Sequence, residues 1–116
     1  MNWITRLLVS SVAVVIAAYV LPGVAIDGFM TAIIVAVVLS IFNVLVKPLL
    51  IILTIPATIL TFGLFLFVIN ALIILLADYA VDGFTVNGFW WALIFSLLLS
   101  LLNSIMGNKS DTSQKG

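Results

Sequence analysis

The chain has 116 residues, of which 66% are hydrophobic and 7% charged, with no net charge and neither Cys nor His. A soluble domain carries roughly a quarter charged residues, so this composition cannot cover a water-facing surface and the lipid bilayer is the solvent it fits. Without clustered Lys and Arg there is no footprint for nucleic acid. Without His or Cys, the usual metal sites and most acid–base or thiol chemistry are excluded, leaving no cofactor, metal or catalytic residue to expect.

Residues 3–21 form the first apolar run, long enough at about 1.5 Å per residue to cross the ~30 Å hydrocarbon core. Arg6 lies one turn in, where it can snorkel, and Trp3 sits at interface depth. A signal peptide is the competing reading. No small-x-small cleavage site follows, which favours retention. Pro22, Gly23 and the Asp27-Gly28 dipeptide then break the helix.

Residues 29–46 make the second helix. Ala32, Ala36, Ser40 and Asn43 share one of its faces. In lipid, where apolar burial drives little helix association, small residues permit close backbone approach and an Asn supplies a hydrogen bond. The spacing therefore predicts a helix-packing seam. The other reading is that the Asn lines a polar path.

The connector, 47–62, contains Lys47, Pro48, Thr54, Pro56, Thr58 and Thr61, with Gly63 just beyond. Thirty-four residues separate Lys47 from Asp82, enough for one crossing but short of the roughly forty that two would need. The surplus lies along the interface or dips in and returns. The two prolines are expected to interrupt any continuous helix. The three threonines, in helical register, give a polar stripe suited to a re-entrant or an interfacial segment.

Residues 63–81 form the third helix. Asn70 falls mid-membrane, where it must find a partner inside the bundle. Asp78 and Asp82 near its end could hold a cation, although solvated helix ends of this kind are common. The fourth helix, 89–106, opens on Phe89, Trp90 and Trp91, an aromatic belt. A polar tail, 107–116, follows, expected to be disordered.

Residues 19–45 and 79–105 align without a gap at an offset of sixty, matching Tyr19/Tyr79, Gly23/Gly83, Gly28/Gly88, Phe29/Phe89, Ser40/Ser100 and Asn43/Asn103 among others. The chain thus reads as a tandem duplication, and Ala92, Ser96, Ser100 and Asn103 repeat the seam. Repeat one covers 3–46 and repeat two 63–106, within a membrane domain of 1–106. The β-prone triplets Val24-Ala25-Ile26 and Phe84-Thr85-Val86 occupy equivalent loops. They could pair as short strands or form two independent turns.

Four crossings put Arg6, Lys47, Lys109 and Lys115 on one side, and the positive-inside rule makes that side cytoplasmic. Both termini are then cytoplasmic, and the repeats are parallel, unlike the inverted repeats of many transporters. Arg6, Lys47 and Asp78 all fall near predicted helix ends, so no ionisable residue is expected at depth.

The run Asn43, Lys47-Pro48, Leu53-Thr54, Pro56, Leu60-Thr61, Gly63-Leu64-Phe65 and Asn70-Ala71, followed by Gly83-Phe84 and Gly88-Phe89, resembles the bacterial four-transmembrane phage holin family, superfamily IV of mycobacterial type. The resemblance spans about 3–106. It implies a multi-pass protein of the bacterial cytoplasmic membrane, holin-like in that copies oligomerise into lesions through which a cell-wall hydrolase escapes. Two other readings stand beside it. One is a non-lytic accessory or structural protein of an envelope-stress or lipid-related system. The other is a small permeation pathway formed by a homodimer and lined by Thr54, Thr58, Thr61 and Asn70. The bilayer and further copies of the chain are the partners expected.

Overall fold

In a computed structural model the chain is described over residues 2–115, with side chains for 2–106. Its elements run α1 (Trp3–Val20), β1 (Val24–Ile26), α2 (Phe29–Leu53), α3 (Ile55–Leu60), α4 (Phe65–Ala80), β2 (Phe84–Val86) and α5 (Phe89–Lys115). Helix α5 does not end at 106 before a disordered tail; its backbone continues helical to Lys115, with side chains undescribed beyond 106. Apart from the two short strands the fold is helical. Helices α1, α2 and α5 are each long and apolar enough to cross a membrane. The fourth apolar helix, α4, has 16 residues, or about 24 Å.

The four long helices form a ring in which α1 packs on α2 and α5, and α4 packs on α5 and α2. Alanines make this possible. Ala13, Ala17, Ala32, Ala71, Ala77 and Ala92 are fully buried, and with no side chain beyond Cβ they let backbones approach as lipid-embedded helices require. Larger buried groups fill the axis between them: Val14, Val35, Ile69, Phe84 and Phe95. Leucines, isoleucines and valines such as Leu8, Ile34, Ile41, Leu72, Leu76 and Leu97 face outward, as a lipid-solvated surface demands.

The two loop triplets pair. β1 and β2 are antiparallel, with Val24 opposite Val86, Ala25 opposite Thr85 and Ile26 opposite Phe84. Two further backbone bonds extend the ribbon, Asp27 N–H to the Gly83 carbonyl (3.0 Å) and Asn87 N–H to the Gly23 carbonyl (2.8 Å). The second is the first with the two segments exchanged, donor and acceptor each moving by sixty in opposite directions. Val24, Phe84 and Val86 turn into the core while Ala25 and Thr85 face out, the period-two alternation of a half-buried strand. The Phe84 ring meets that of Phe95 on α5 at 5.5 Å, which fastens ribbon to bundle. Gly23 is pressed against the face of the Trp91 indole, where a Cβ would collide with the ring.

The connector differs from the expectation. Helix α2 does not end at 46; it continues through Lys47 and Pro48 to Leu53. A proline costs the helix one N–H and a clash with the preceding turn. In an apolar environment, however, no water competes for the remaining bonds, and spanning helices tolerate it. The interruption comes at Thr54. There α3 begins, with Pro56 in its first turn, where a missing N–H removes nothing from the ladder. Helix α3 closes in a Schellman motif: Gly63 N–H bonds the Thr58 carbonyl (2.8 Å) and Phe62 N–H the Ile59 carbonyl (3.1 Å). The left-handed position falls on Phe62, at φ 54°, where glycine is usual, and Gly63 follows at φ 86°.

Candidate functional site: a polar cavity at one end of the bundle

Burial is confined to one half of the molecule. No described residue is buried in 2–10, 40–68 or 100–106. Everything buried lies on the ribbon side of these segments, and on the other side the four helices part around a cavity of about 120 Å³, several times what one water needs.

The lining is polar and comes from all four long helices. Ser10 contributes from α1; Ser40, Asn43 and Lys47 from α2; Asn70 from α4; Ser96, Ser100 and Asn103 from α5. Leu39, Ile74 and Leu99 form its apolar inner wall, and beyond them Val14, Val35 and Phe95 are fully buried. The cavity is a vestibule that ends in packed side chains.

Two of the four lining hydroxyls have a local partner. Ser40 Oγ donates to the Ala36 carbonyl (2.9 Å) and Ser96 Oγ to the Leu93 carbonyl (2.8 Å). The amides do not. Among the described residues, no protein hydrogen bond engages the side chains of Asn43, Asn70 or Asn103.

The residues predicted as a packing seam therefore grade along the helix. Ala32, Ala36, Ala92 and Ser96 are buried, whereas Ser40, Asn43 and Ser100 are exposed and Asn103 is half-buried; the last four border the cavity, and so do Ala36 and Ser96. Asn70 borders the same cavity and is half-buried.

The threonine stripe is elsewhere. Thr54 Oγ1 donates to the Leu50 carbonyl (2.7 Å). Thr61 Oγ1 donates to the Ala57 carbonyl (2.9 Å) and accepts from Phe65 N–H (3.0 Å). Both hydroxyls thus serve their own backbone. The Thr58 hydroxyl is buried without a partner. None of the three lines the cavity that Asn70 borders. Pro48 and Pro56 are exposed, as are Ile55, Ile59, Leu60 and Phe62 around α3. The connector thus presents an apolar outer surface.

Charges segregate with the two halves. Asp27, Asp78 and Asp82 lie at the ribbon end, and Arg6 and Lys47 toward the other. Asp78 Oδ2 accepts from Val86 N–H (3.1 Å), tying the end of α4 to β2. Asp27 accepts from the Thr31 hydroxyl. These carboxylates thus hold turns in place, and among the described residues no three acidic groups gather as a metal site would need.

Lys47 is the residue that sequence reasoning undervalued. With Pro48 taken as a terminator, it sat at a helix end. With α2 continuing to Leu53, it is interior to an apolar helix and borders the cavity, half-buried. A signal was available: no charged residue occurs between Lys47 and Asp78, so apolar chain extends well past the lysine.

Two relatives are similar along most of their length, and one of them is named as a membrane protein. The chain is 39% identical over 106 residues to the uncharacterised membrane protein YvlD of Bacillus subtilis, covering 90% of this chain and 89% of that one. It is 34% identical over 112 residues to the uncharacterised protein SCO3922 of Streptomyces coelicolor, covering 88% and 90%. No solved structure matches. Neither relative points to an enzymatic family. Residues 1–105 match the family described as mycobacterial 4 TMS phage holin, superfamily IV, and the chain belongs to that family of membrane proteins.

Proposed function

We propose that the chain is a resident of the bacterial cytoplasmic membrane that admits a polar group from the cytoplasmic side into its vestibule without opening a path across the bilayer. One observation carries this reading: a polar cavity lined from four helices that ends in the packed layer of Val14, Val35 and Phe95 beneath a hydrogen-bonded ribbon. All four long helices cross the membrane in this reading, with the turns flanking α4 making up its short length. The segregation of Arg6 and Lys47 from Asp27, Asp78 and Asp82 supports cytoplasmic termini under the positive-inside rule. The sixty-residue offset between the ribbon's bonds supports two parallel repeats about an axis along the membrane normal. The apolar outside of α3 supports a connector seated in the cytoplasmic interface.

The chain has no cysteine, so a single introduced thiol reports access. Asn103→Cys is expected to react with a membrane-impermeant maleimide in inverted vesicles and to stay unlabelled in intact spheroplasts. Labelling in spheroplasts would overturn the reading.

A second reading is the lesion-forming oligomer that the family's name suggests, favoured by the exposed apolar connector, which offers contact area to other copies. Strong induction in a bacterium while membrane potential is followed separates the two. Intact potential and continued growth fit the vestibule; abrupt collapse fits the lesion.

A further inference from the structure

Resting on the vestibule reading, we infer that the cavity is a binding site for a phosphate-type oxyanion, with Lys47 supplying the charge and Asn43, Asn70 and Asn103 the surrounding donors. Among the residues whose side chains are described, Lys47 is the one ionisable group that lines the cavity. The carboxylates with described side chains, Asp27, Asp78 and Asp82, all belong to the ribbon end, and the Asp111 side chain lies outside those described. An ionisable group within a membrane-spanning helix is costly and ordinarily has a partner. Among the described side chains no carboxylate lines this cavity to be one.

Donor chemistry points the same way. The ammonium has three N–H donors and no acceptor, and each amide adds two donors. The amides have no protein partner among the described residues, and they approach from α2, α4 and α5. A planar carboxylate accepts within one plane, whereas a tetrahedral oxyanion accepts from several directions, as this convergence requires. Lysine serves phosphate as a point charge that needs no fixed fork geometry. A cation is disfavoured, because Lys47 already places a positive charge there and no anionic group is among the described lining side chains.

The duplication sharpens the assignment. Ser10 corresponds to Asn70, Ser40 to Ser100 and Asn43 to Asn103, so the neutral lining follows from the repeat. Lys47 does not: its counterpart at the same offset is Gly107. The scaffold needs no lysine at that position, and the single charge sits where neutral donors from three helices meet.

The phosphate could belong to a lipid headgroup or to a soluble anion, and the test separates them. The protein is reconstituted in phosphatidylcholine nanodiscs and in nanodiscs containing phosphatidylglycerol, and thermal unfolding is followed by tryptophan fluorescence with and without added sodium phosphate. A midpoint raised by phosphate in phosphatidylcholine supports a soluble anion. One raised only by phosphatidylglycerol supports a headgroup. In either case Lys47→Gln should need at least about tenfold more ligand for the same rise, the scale of one lost charged hydrogen bond. Lys47→Arg should retain the rise, and Arg6→Gln, which removes an exposed charge outside the cavity, should leave it unchanged. If Lys47→Gln fails to fold, Asn103→Leu takes its place, with weakened binding expected.

No rise from either source overturns the inference, as does an equal rise in wild type and Lys47→Gln. Cytoplasmic labelling of Asn103→Cys without any phosphate effect defeats the anion site alone; labelling from outside defeats the vestibule beneath it.

Discussion

The ribbon half and the cavity half of this bundle are drawn from the same four helices, yet they are built on different physics. Toward the ribbon, Ala13, Ala17, Ala32, Ala77 and Ala92 let the backbones close, and Phe84, Phe95, Val14 and Val35 fill the axis. Toward the other end, Ser10, Ser40, Asn43, Asn70 and Asn103 occupy the inward positions, and the helices part. In lipid the difference is one of contact density, because a leucine gains little by moving from acyl chains into a protein. Small residues against one another stabilise by dispersion and close approach; amides without partners do not. A membrane bundle can therefore be tight at one end and open at the other with hydrophobic residues throughout.

The largest expected effect is on the tight half. Phe95→Ala leaves a void against Phe84 and should destabilise by about 3 kcal/mol, the low end for buried aromatics, because transfer to lipid restores part of the loss. Unfolding midpoints in mixed detergent measure it, and a change well under half that size would mean the ribbon is not fastened through this ring.

Gly23→Ala comes next. Its new methyl meets the Trp91 ring, and overpacking of this kind costs about 2 kcal/mol. Recovery of stability in Gly23→Ala combined with Trp91→Leu would place the strain at that contact.

Thr58→Val is expected to stabilise by up to about 1 kcal/mol, because it replaces a buried hydroxyl that has no partner with a methyl of similar shape. Destabilisation in the same assay would reveal a partner for that hydroxyl.

The smallest effect belongs to the open half. Asn43→Leu and Asn103→Leu should each shift stability by less than about 0.5 kcal/mol, whereas an interhelical amide bond in a membrane would be worth about 0.6 to 1 kcal/mol. Losses at or above that range in both would restore the packing seam and erase the contrast between the halves.

Much of this was legible before any coordinates. The positions of α1, α4 and the start of α2 follow from apolar runs punctuated by Pro22, Gly23 and the Asp27-Gly28 turn. The ribbon follows from β-prone triplets between glycines, although the sequence left two independent turns equally open. Pairing depends on the two loops meeting, and only the packed bundle brings Gly23 opposite Asn87 and Asp27 opposite Gly83.

The connector was the least legible part. Proline is read locally as a helix breaker, yet whether Pro48 ends a helix depends on what competes for the freed backbone groups. Inside an apolar surrounding nothing does, and α2 ran on to Leu53. Lys47 was misplaced by that one assumption. Similarly, an Asn in an apolar helix reads as a residue that must find a partner, but Asn43, Asn70 and Asn103 face a cavity whose existence no single helix encodes.

The membrane solvent, most of the helices and the family are written in composition, local periodicity or direct similarity along the chain. Only the tertiary structure decided which face of each helix closes and which opens, that Asn43, Asn70, Asn103 and Lys47 border one space, and that the threonines do not. Those outcomes depend on the angle at which four helices meet. That angle is set by where small side chains permit contact across the bundle, between residues far apart in sequence.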